Sequence, residues 1–407
     1  MYTLVINAGS SSVKFTLFRG RGLKKVAGGK VERIGLEGTT IHYQNDGEDQ
    51  IARGTSVTNT HQAVKLITDL LVDKDVGVIR KKTEITGIGH RVVHGGERIS
   101  ASVMINRATK QIIEDCIPLA PLHNPVNLAG IEACEEIFIG IPQVAVFDTA
   151  FHAGLPEYAY LYGLPYRFYQ EDKIRRYGFH GTSHQYVSHQ AARMLNRPIE
   201  SLKMITCHLG NGCSLTAVDG GRSVDTSMGF TPLEGLMMGT RCGDLDPAIV
   251  FYLMEQKNLD YRQISDLLNK QSGLLGLAGV GSSDLRDVFL ARDNGNRQSG
   301  TAIRTFAYRI RKYIGAYTFA MGAIDAIVFT GGIGENMAAI RASVCQGLEL
   351  LGIVIDLEKN ATASHFPREI QSDNSHTKIL VVPTDEEKEI ARQTKDLINA
   401  EKSLDSG

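Results

Sequence analysis

The chain has 407 residues, with 44 Lys plus Arg against 45 Asp plus Glu, for a formal net charge of −1. So balanced a sum excludes a whole-protein electrostatic surface for nucleic acid or anionic membrane. With 43% hydrophobic and 22% charged residues the chain can bury a large core, which excludes a disordered protein and predicts two or three domains of roughly 100 to 200 residues each.

The first apolar run, Thr3 to Asn7, predicts a strand and not a signal peptide: no basic lead precedes it, and Asn7 and Gly9 interrupt it. A second strand, Val13 to Phe18, follows the loop Asn7-Ala8-Gly9-Ser10-Ser11-Ser12-Val13-Lys14. That loop offers backbone N–H groups, hydroxyls and a Lys to phosphate oxygens or a hydrated metal, or it is an ordinary hairpin turn; its spacing is not that of a Walker A loop. The basic run Arg21, Lys24, Lys25 and Lys30 has no interleaved aromatic residues and reads as a solvated face, so no nucleic-acid partner is expected.

Further along, Gly89-His90-Arg91-Val92-Val93-His94-Gly95-Gly96 embeds an Arg among glycines, where it can point at a carboxylate or phosphate. Asn124-Pro125 predicts a helix start with Asn124 as the cap. The strand Val144 to Phe147 ends in Asp148, a common place for a carboxylate that serves a site in α/β proteins. In Gly178-Phe179-His180-Gly181-Thr182-Ser183-His184, His180 stands just before a helix that carries His184 and His189, and it can donate to a developing oxyanion.

Strands are predicted at Met204 to Cys207 and Ser214 to Val218, joined through His208-Leu209-Gly210-Asn211-Gly212. This pair resembles the first hairpin, strand for strand, and points to an internal duplication. A second glycine-embedded Arg lies in Gly239-Thr240-Arg241-Cys242-Gly243-Asp244, and Asp246-Pro247 predicts another helix start. Ile303, Ala307, Ile310, Ile314, Tyr317 and Met321 form one apolar stripe that ends at Gly322. The strand Ala326 to Phe329 leads into a turn, Gly331-Gly332-Ile333-Gly334, and a helix with Met337, Ile340, Val344, Leu348 and Leu351 inward. After the strand Lys378 to Val382, Pro383-Thr384-Asp385-Glu386-Glu387 opens the last helix. Thr384 and Glu387 suit a capping box; Glu386 is left to face a site, where Mg²⁺, which keeps several waters, binds through one or two carboxylates plus phosphates.

The class is α/β. The six cysteines are irregularly spaced with no CxxC pair, so reduced thiols are expected, with neither a disulfide framework nor zinc. The segment Tyr313 to Ile324 stops at Asp325, short of the ~20 apolar residues a bilayer needs. A soluble, cytoplasmic protein without a membrane partner is expected.

Taken together, these motifs resemble the acetate kinase family, in the superfamily of acetate and sugar kinases, heat-shock chaperones and actin. The resemblance runs from Asn7-Ala8-Gly9-Ser10-Ser11-Ser12-Val13-Lys14-Phe15, through the block around His208 to Gly212, to Pro383-Thr384-Asp385-Glu386-Glu387, where Asp385 replaces the family's usual Asn. It implies two duplicated actin-like (ribonuclease H-like) ATPase domains flanking a nucleotide cleft: residues 1–149 completed by the C-terminal helix 385–407, and residues 150–384, which bind nucleotide and dimerise. It implies reversible in-line phosphoryl transfer from ATP to acetate, giving acetyl phosphate and ADP, in a homodimer that uses Mg²⁺ or Mn²⁺. Asn7 and Glu386 would hold the metal, and Ser10, Ser12 and Lys14 would lie by the phosphates. ATP would be bound by His208, Leu209, Gly210, Asn211 and Gly212, by Asp284, Leu285 and Arg286, and by Gly331, Gly332, Ile333, Gly334 and Glu335. Arg91 and Arg241 would grip the carboxylate and the migrating group, with His180 and Asp148 beside them. Val93, Leu122, Phe179 and Pro232 would enclose the methyl group. A propionate kinase, or an actin-like nucleotide switch without an acyl substrate, are the alternatives.

Overall fold

In the computed structural model, residues 1–45, 48–52, 54 and 56–405 are described. The chain divides into two compact units, Met1–Ala153 with Asp385–Gly407, and Gly154–Thr384.

The first unit is built on the strands β1 (Tyr2–Gly9), β2 (Ser12–Arg19), β3 (Lys24–Glu32), β4 (Thr40–Asn45), β5 (Glu48–Ala52), β6 (Ile85–Val92), β7 (Val103–Met104) and β8 (Gln143–Phe147). They form one sheet in the order β5-β4-β3-β2-β1-β6-β8-β7. The β1, β6 and β8 strands are parallel neighbours, while β1-β2-β3 is an antiparallel meander. Both sheet faces are covered around β1, which is why it reads as a continuous apolar run. Leu4 and Ile6 join a core with Phe15, Ala63, Ile67, Ala133 and Cys134, to which the helices Thr60–Leu71 and Asn124–Ile137 contribute. Val5, on the other face, packs with Val144, Val146, Ile390, Ala391 and Ile398.

The last three of those residues, Ile390, Ala391 and Ile398, come from the C-terminal helix, Glu386–Asp405. Glycines in β6 allow the helix to lie close. A Cβ on Gly89 would stand 2.3 Å from Thr394 Oγ1 and 2.7 Å from Ile390 Cγ2, and one on Gly87 2.5 Å from Ile398 Cδ1.

The second unit carries β9 (Lys203–Leu209), β10 (Cys213–Asp219), β11 (Arg222–Thr226), β12 (Ala326–Thr330), β13 (Arg368–Glu369) and β14 (Lys378–Val381). Their order is β11-β10-β9-β12-β14-β13. An antiparallel meander, then two parallel strands, then a short antiparallel edge strand is the arrangement of β3-β2-β1-β6-β8-β7 again. The two hairpins matched in the sequence are therefore the first two strands of equivalent sheets, and the expected α/β duplication is present in the topology.

Among helices, Arg297–Met321 buries all six residues of the apolar stripe and ends at Gly322 with φ +77°. Four local expectations need correction. Asn124 does not cap the helix it starts: the cap position is His123, and the Asn124 side chain is buried and bonded to His94 and to Ile113 O. Gly331 to Gly334 is not a free turn but the start of a short helix, Gly331–Asn336, as its φ of +76° at Gly331 reverses the chain directly after β12. The following helix, Ala338–Cys345, stops before Gly347, also at φ +77°, so Leu351 is exposed instead of inward. Finally, the last helix is capped by Asp385, whose Oδ1 accepts from Lys388 N at 2.9 Å, and not by Thr384.

All six cysteines are free thiols. Among the described residues, no helix is long and apolar enough to cross a membrane.

Candidate active site

In the first unit the candidate site residues gather where the parallel strands end, the usual place for ligands in an α/β sheet. Ile6 pairs with His90 and Val92 with Phe147, so Asn7, Arg91 and Asp148 emerge side by side. Arg91 makes a two-pronged ion pair: Nε donates to Asp148 Oδ1 at 3.0 Å and Nη2 to Oδ2 at 2.6 Å. Nη1 reaches Asn7 Oδ1 at 3.4 Å. The Asp148 side chain is 3% exposed and that of Arg91 26%, so the carboxylate is the buried anchor and the guanidinium the part presented outward. Asp148 is the largest influence on Arg91 and raises its pKa further, keeping it charged at any working pH.

Glu386, at the start of the C-terminal helix, shares this environment. Crowding by protein pushes its carboxyl up to about 7; Arg91 opposes that, Asp148 and Glu387 add to it, and Lys14 opposes it more weakly. The hairpin completes the group. Gly9 pairs with Ser12, so Ser10 and Ser11 form a two-residue turn, and Lys14 lies directly across from Asn7. Ser10 and Lys14 are exposed and Ser12 half-buried.

One residue that sequence reasoning passed over holds this edge together. Buried Asn127 donates from Nδ2 to Ala8 O at 2.8 Å and accepts from Val93 N at 3.0 Å. It thereby ties the hairpin loop to the turn that carries Val93. Asn127→Ala should lower stability by about 1 to 3 kcal/mol, because both backbone partners stay buried without it; urea unfolding monitored by circular dichroism checks this. Of the two expected methyl-pocket residues in this unit, Val93 is buried and Leu122 is exposed.

Donor chemistry here suits magnesium or manganese. Asn7 and Glu386 offer hard oxygens, and a carboxyl whose pKa is raised by crowding gains from a nearby divalent cation. Among the described residues no three His, Cys, Asp or Glu side chains converge on one point. A metal held by one carboxylate, one amide, waters and substrate phosphates fits this set; an all-protein cage does not.

In the second unit, His180 stands at φ +58°, left-handed, immediately before the helix Gly181–Met194. Its ring stacks on His208 with 4.3 Å between centroids. His180 Nδ1 lies 2.9 Å from Ser214 Oγ, and Ser214 Oγ lies 2.7 Å from His184 Nε2. His184 Nδ1 in turn is 2.7 Å from Thr206 Oγ1. His208 Nδ1 is 2.8 Å from Ser183 Oγ, which also bonds Thr384 Oγ1 at 2.8 Å. Ser183, Ser214 and Thr206 are fully buried. Nothing in their local sequence marks them, since Ser and Thr are common inside strands and in first helical turns.

Arg241 is half-buried and, among the described residues, has no carboxylate partner; Nη1 donates to Pro232 O at 3.3 Å. Burial lowers its pKa but leaves it charged near neutrality. Gly212 separates it from His180: a Cβ there would lie 3.3 Å from His180 Cε1, 3.5 Å from His180 Nε2 and 3.5 Å from Arg241 Nη1. His180 and Arg241 thus border one small space. Phe179 is buried and Pro232 half-buried.

The loop His208 to Gly212 is closed by a bond from Gly210 N to Gly212 O and tied to Gly239 N through Asn211 O, both at 3.0 Å. Leu209 is core. Gly331 approaches it so closely that a Cβ would be 2.7 Å from Leu209 O. The Glu335 carboxylate is occupied within this unit, accepting from Gly331 N at 2.9 Å and Thr384 N at 3.1 Å. Asp284 caps the helix Leu285–Asp293, and its carboxylate, held by Arg286, falls to about 2. Leu285 is core, so the polar edge there consists of Asp284 and Arg286.

Comparison with known proteins identifies the family. The model of the Acetokinase family matches residues 2–392. The chain is 52% identical over 398 residues to the acetate kinase of Alkaliphilus metalliredigens (strain QYMF), covering 98% of this chain and all of that one. The crystal structure of Porphyromonas gingivalis acetate kinase superposes with a TM-score of 0.94 at 45% identity, over 98% of this chain and 99% of that one. A propionate kinase from Francisella tularensis superposes with a TM-score of 0.90 at 42% identity, over 97% and 99%. The chain belongs to the Acetokinase family.

Proposed function

We propose that this chain is an ATP:acetate phosphotransferase, forming acetyl phosphate and ADP reversibly. The observation that carries the reading is Arg91: a guanidinium fixed by Asp148 and presented outward, two residues from buried Val93. That juxtaposition offers a charge to a carboxylate and an apolar wall to a short acyl tail. The acetate kinases among the relatives support the choice of acid.

Acetate is already an anion at pH 7, far above its pKa of about 4 to 5, so no strong base is needed. The barrier is repulsion between that anion and the γ-phosphate. One acetate oxygen attacks the γ-phosphorus while the bond from phosphorus to the β,γ-bridging oxygen breaks, and the electron pair leaves with ADP. Arg91 holds the acetate, and Arg241 and His180 donate to the equatorial oxygens, whose charge is spread in the transition state. Ser10, Ser12 and Lys14, the loops at His208 to Gly212 and Gly331 to Glu335, and Asp284 with Arg286 bind the nucleotide. Mg²⁺ or Mn²⁺, held through Asn7 and Glu386, supplies charge neutralisation at the phosphates when bound. The two compact units serve as the two functional domains, and the working form is a cytoplasmic homodimer.

The test is ATP- and Mg²⁺-dependent hydroxamate formation with acetate, propionate and butyrate. Acetate-favoured product is expected. The Francisella relative gives the second reading, a propionate kinase, its observation; a higher kcat/KM for propionate would establish it. No product from any acid, with ATP binding intact, would point to a nucleotide switch. A methylene is worth about 1 to 3 kcal/mol in such a pocket. Val93→Ala should therefore raise the propionate-to-acetate ratio of kcat/KM by roughly tenfold; an unchanged ratio removes Val93 from the pocket.

A further inference from the structure

We infer that Thr206, His184 and Ser214 are positioning residues that fix the tautomer of His180, holding its neutral ring with the proton on Nε2 so that it donates to a phosphoryl oxygen. The inference deepens the role given to His180 above and rests on it.

Four groups form a line: Thr206 Oγ1, His184 through both ring nitrogens, Ser214 Oγ and His180 Nδ1, joined at 2.7, 2.7 and 2.9 Å. The His184, Ser214 and Thr206 side chains are fully buried. Among the described residues the buried Ser214 hydroxyl has no acceptor but the two rings, so hydrogens in the line run one of two ways, each neutral imidazole having one donor and one acceptor. If His180 Nδ1 carries the proton, Ser214 must donate to His184, His184 to Thr206, and the Thr206 hydroxyl is left with Thr216 O at 3.5 Å, a poor bond. In the opposite sense Thr206 donates to His184 Nδ1 at 2.7 Å, His184 Nε2 to Ser214, and Ser214 to His180 Nδ1. The three protons inside the buried line then sit in short bonds, and half-buried His180 carries its own on Nε2. That is the nitrogen beside Gly212 and across from Arg241 Nη1. His208 stacks on the ring at 4.3 Å between centroids, and Arg241 lies on its Nε2 side. Ser214 occupies in this sheet the place of Lys14 in the other, each across the hairpin from the last polar residue of its first strand, His208 or Asn7. The second hairpin carries a relay where the first carries a cation.

Long-range proton–nitrogen NMR on the full chain labelled with ¹⁵N-histidine reads the tautomer directly and needs no variant. His180 should show a protonated Nε2 and a bare Nδ1 at neutral pH; a protonated Nδ1 overturns the inference. Thr206→Val preserves shape at the far end of the line, away from His180. It should turn His180 into a mixture of tautomers and lower kcat by roughly tenfold, with KM for ATP and acetate nearly unchanged. Thr206→Ser should restore both. An unmixed tautomer and unchanged kcat in Thr206→Val overturn the relay. Should the unmodified protein form no acetyl phosphate, the phosphotransferase reading fails on that assay alone, while the NMR result still decides the tautomer.

Discussion

Arg91→Leu should lower kcat for acetyl phosphate formation by roughly 10² to 10³-fold and lower the melting temperature as well. Two separate losses are combined in that variant. The charge proposed to meet the substrate is removed, and Asp148, 3% exposed, is left as a buried carboxylate without its two-pronged partner. Breaking a buried pair from one side costs about 3 to 5 kcal/mol, mostly through the charge left behind. The two effects can be separated. Arg91→Lys retains a charge but not the paired donors at 3.0 and 2.6 Å; it should recover part of the stability and little of the rate. Arg91→Leu combined with Asp148→Leu should recover stability and none of the rate, since no buried charge then remains. Thermal unfolding and steady-state kinetics on the three variants check this. Normal kcat in Arg91→Leu would take Arg91 out of the site.

How much of this was legible beforehand depended on the range of the interactions. Strands β1, β8, β9 and β12 stand out because both sheet faces are covered, and burial on both sides writes an uninterrupted apolar run. The stripe of Arg297–Met321 is legible for the matching reason, one buried face at helical period. Caps were misread where the capping-type side chain is used at long range. Asn124 looks like a cap but spends its amide on His94 and Ile113, and Thr384 is drawn to Ser183 while Asp385 takes the helix end. Arg91 and Asp148 could each be singled out from the residues around them. Their pairing could not, because it comes from the register of two parallel strands whose side chains are 57 positions apart. Thr206, Ser183, Ser214 and Asn127 were invisible, as their significance lies wholly in which side chain each one meets.

Gly212→Val should lower kcat by roughly 10²-fold or more while leaving the fold intact. The backbone at Gly212 is not in the left-handed region, and a Cβ there meets no backbone atom within 4 Å among its three nearest neighbours. The side chain therefore costs little as conformation and, by reducing the freedom of the unfolded chain, can offset part of its own crowding. What it fills is the space bordered by His180 and Arg241. A first carbon stands 3.3 Å from His180 Cε1 and 3.5 Å from both His180 Nε2 and Arg241 Nη1; the two further methyls of Val must displace one side chain or the other. His180 is held on Ser214 at 2.9 Å and stacked on His208, so it has little room to retreat. Arg241, held by one carbonyl at 3.3 Å, moves more easily and is the side chain expected to leave. Gly212→Ala should be intermediate, about tenfold, because a shift of a few tenths of an ångström relieves it. Gly163→Ala is the control elsewhere in the same unit: a Cβ there meets nothing within 4 Å, and activity should be near normal. A graded loss from Ala to Val at Gly212, at constant melting temperature, means that His180 and Arg241 act on one shared oxygen. Equal rates in all three variants would mean that the space between them is not where the phosphoryl group passes.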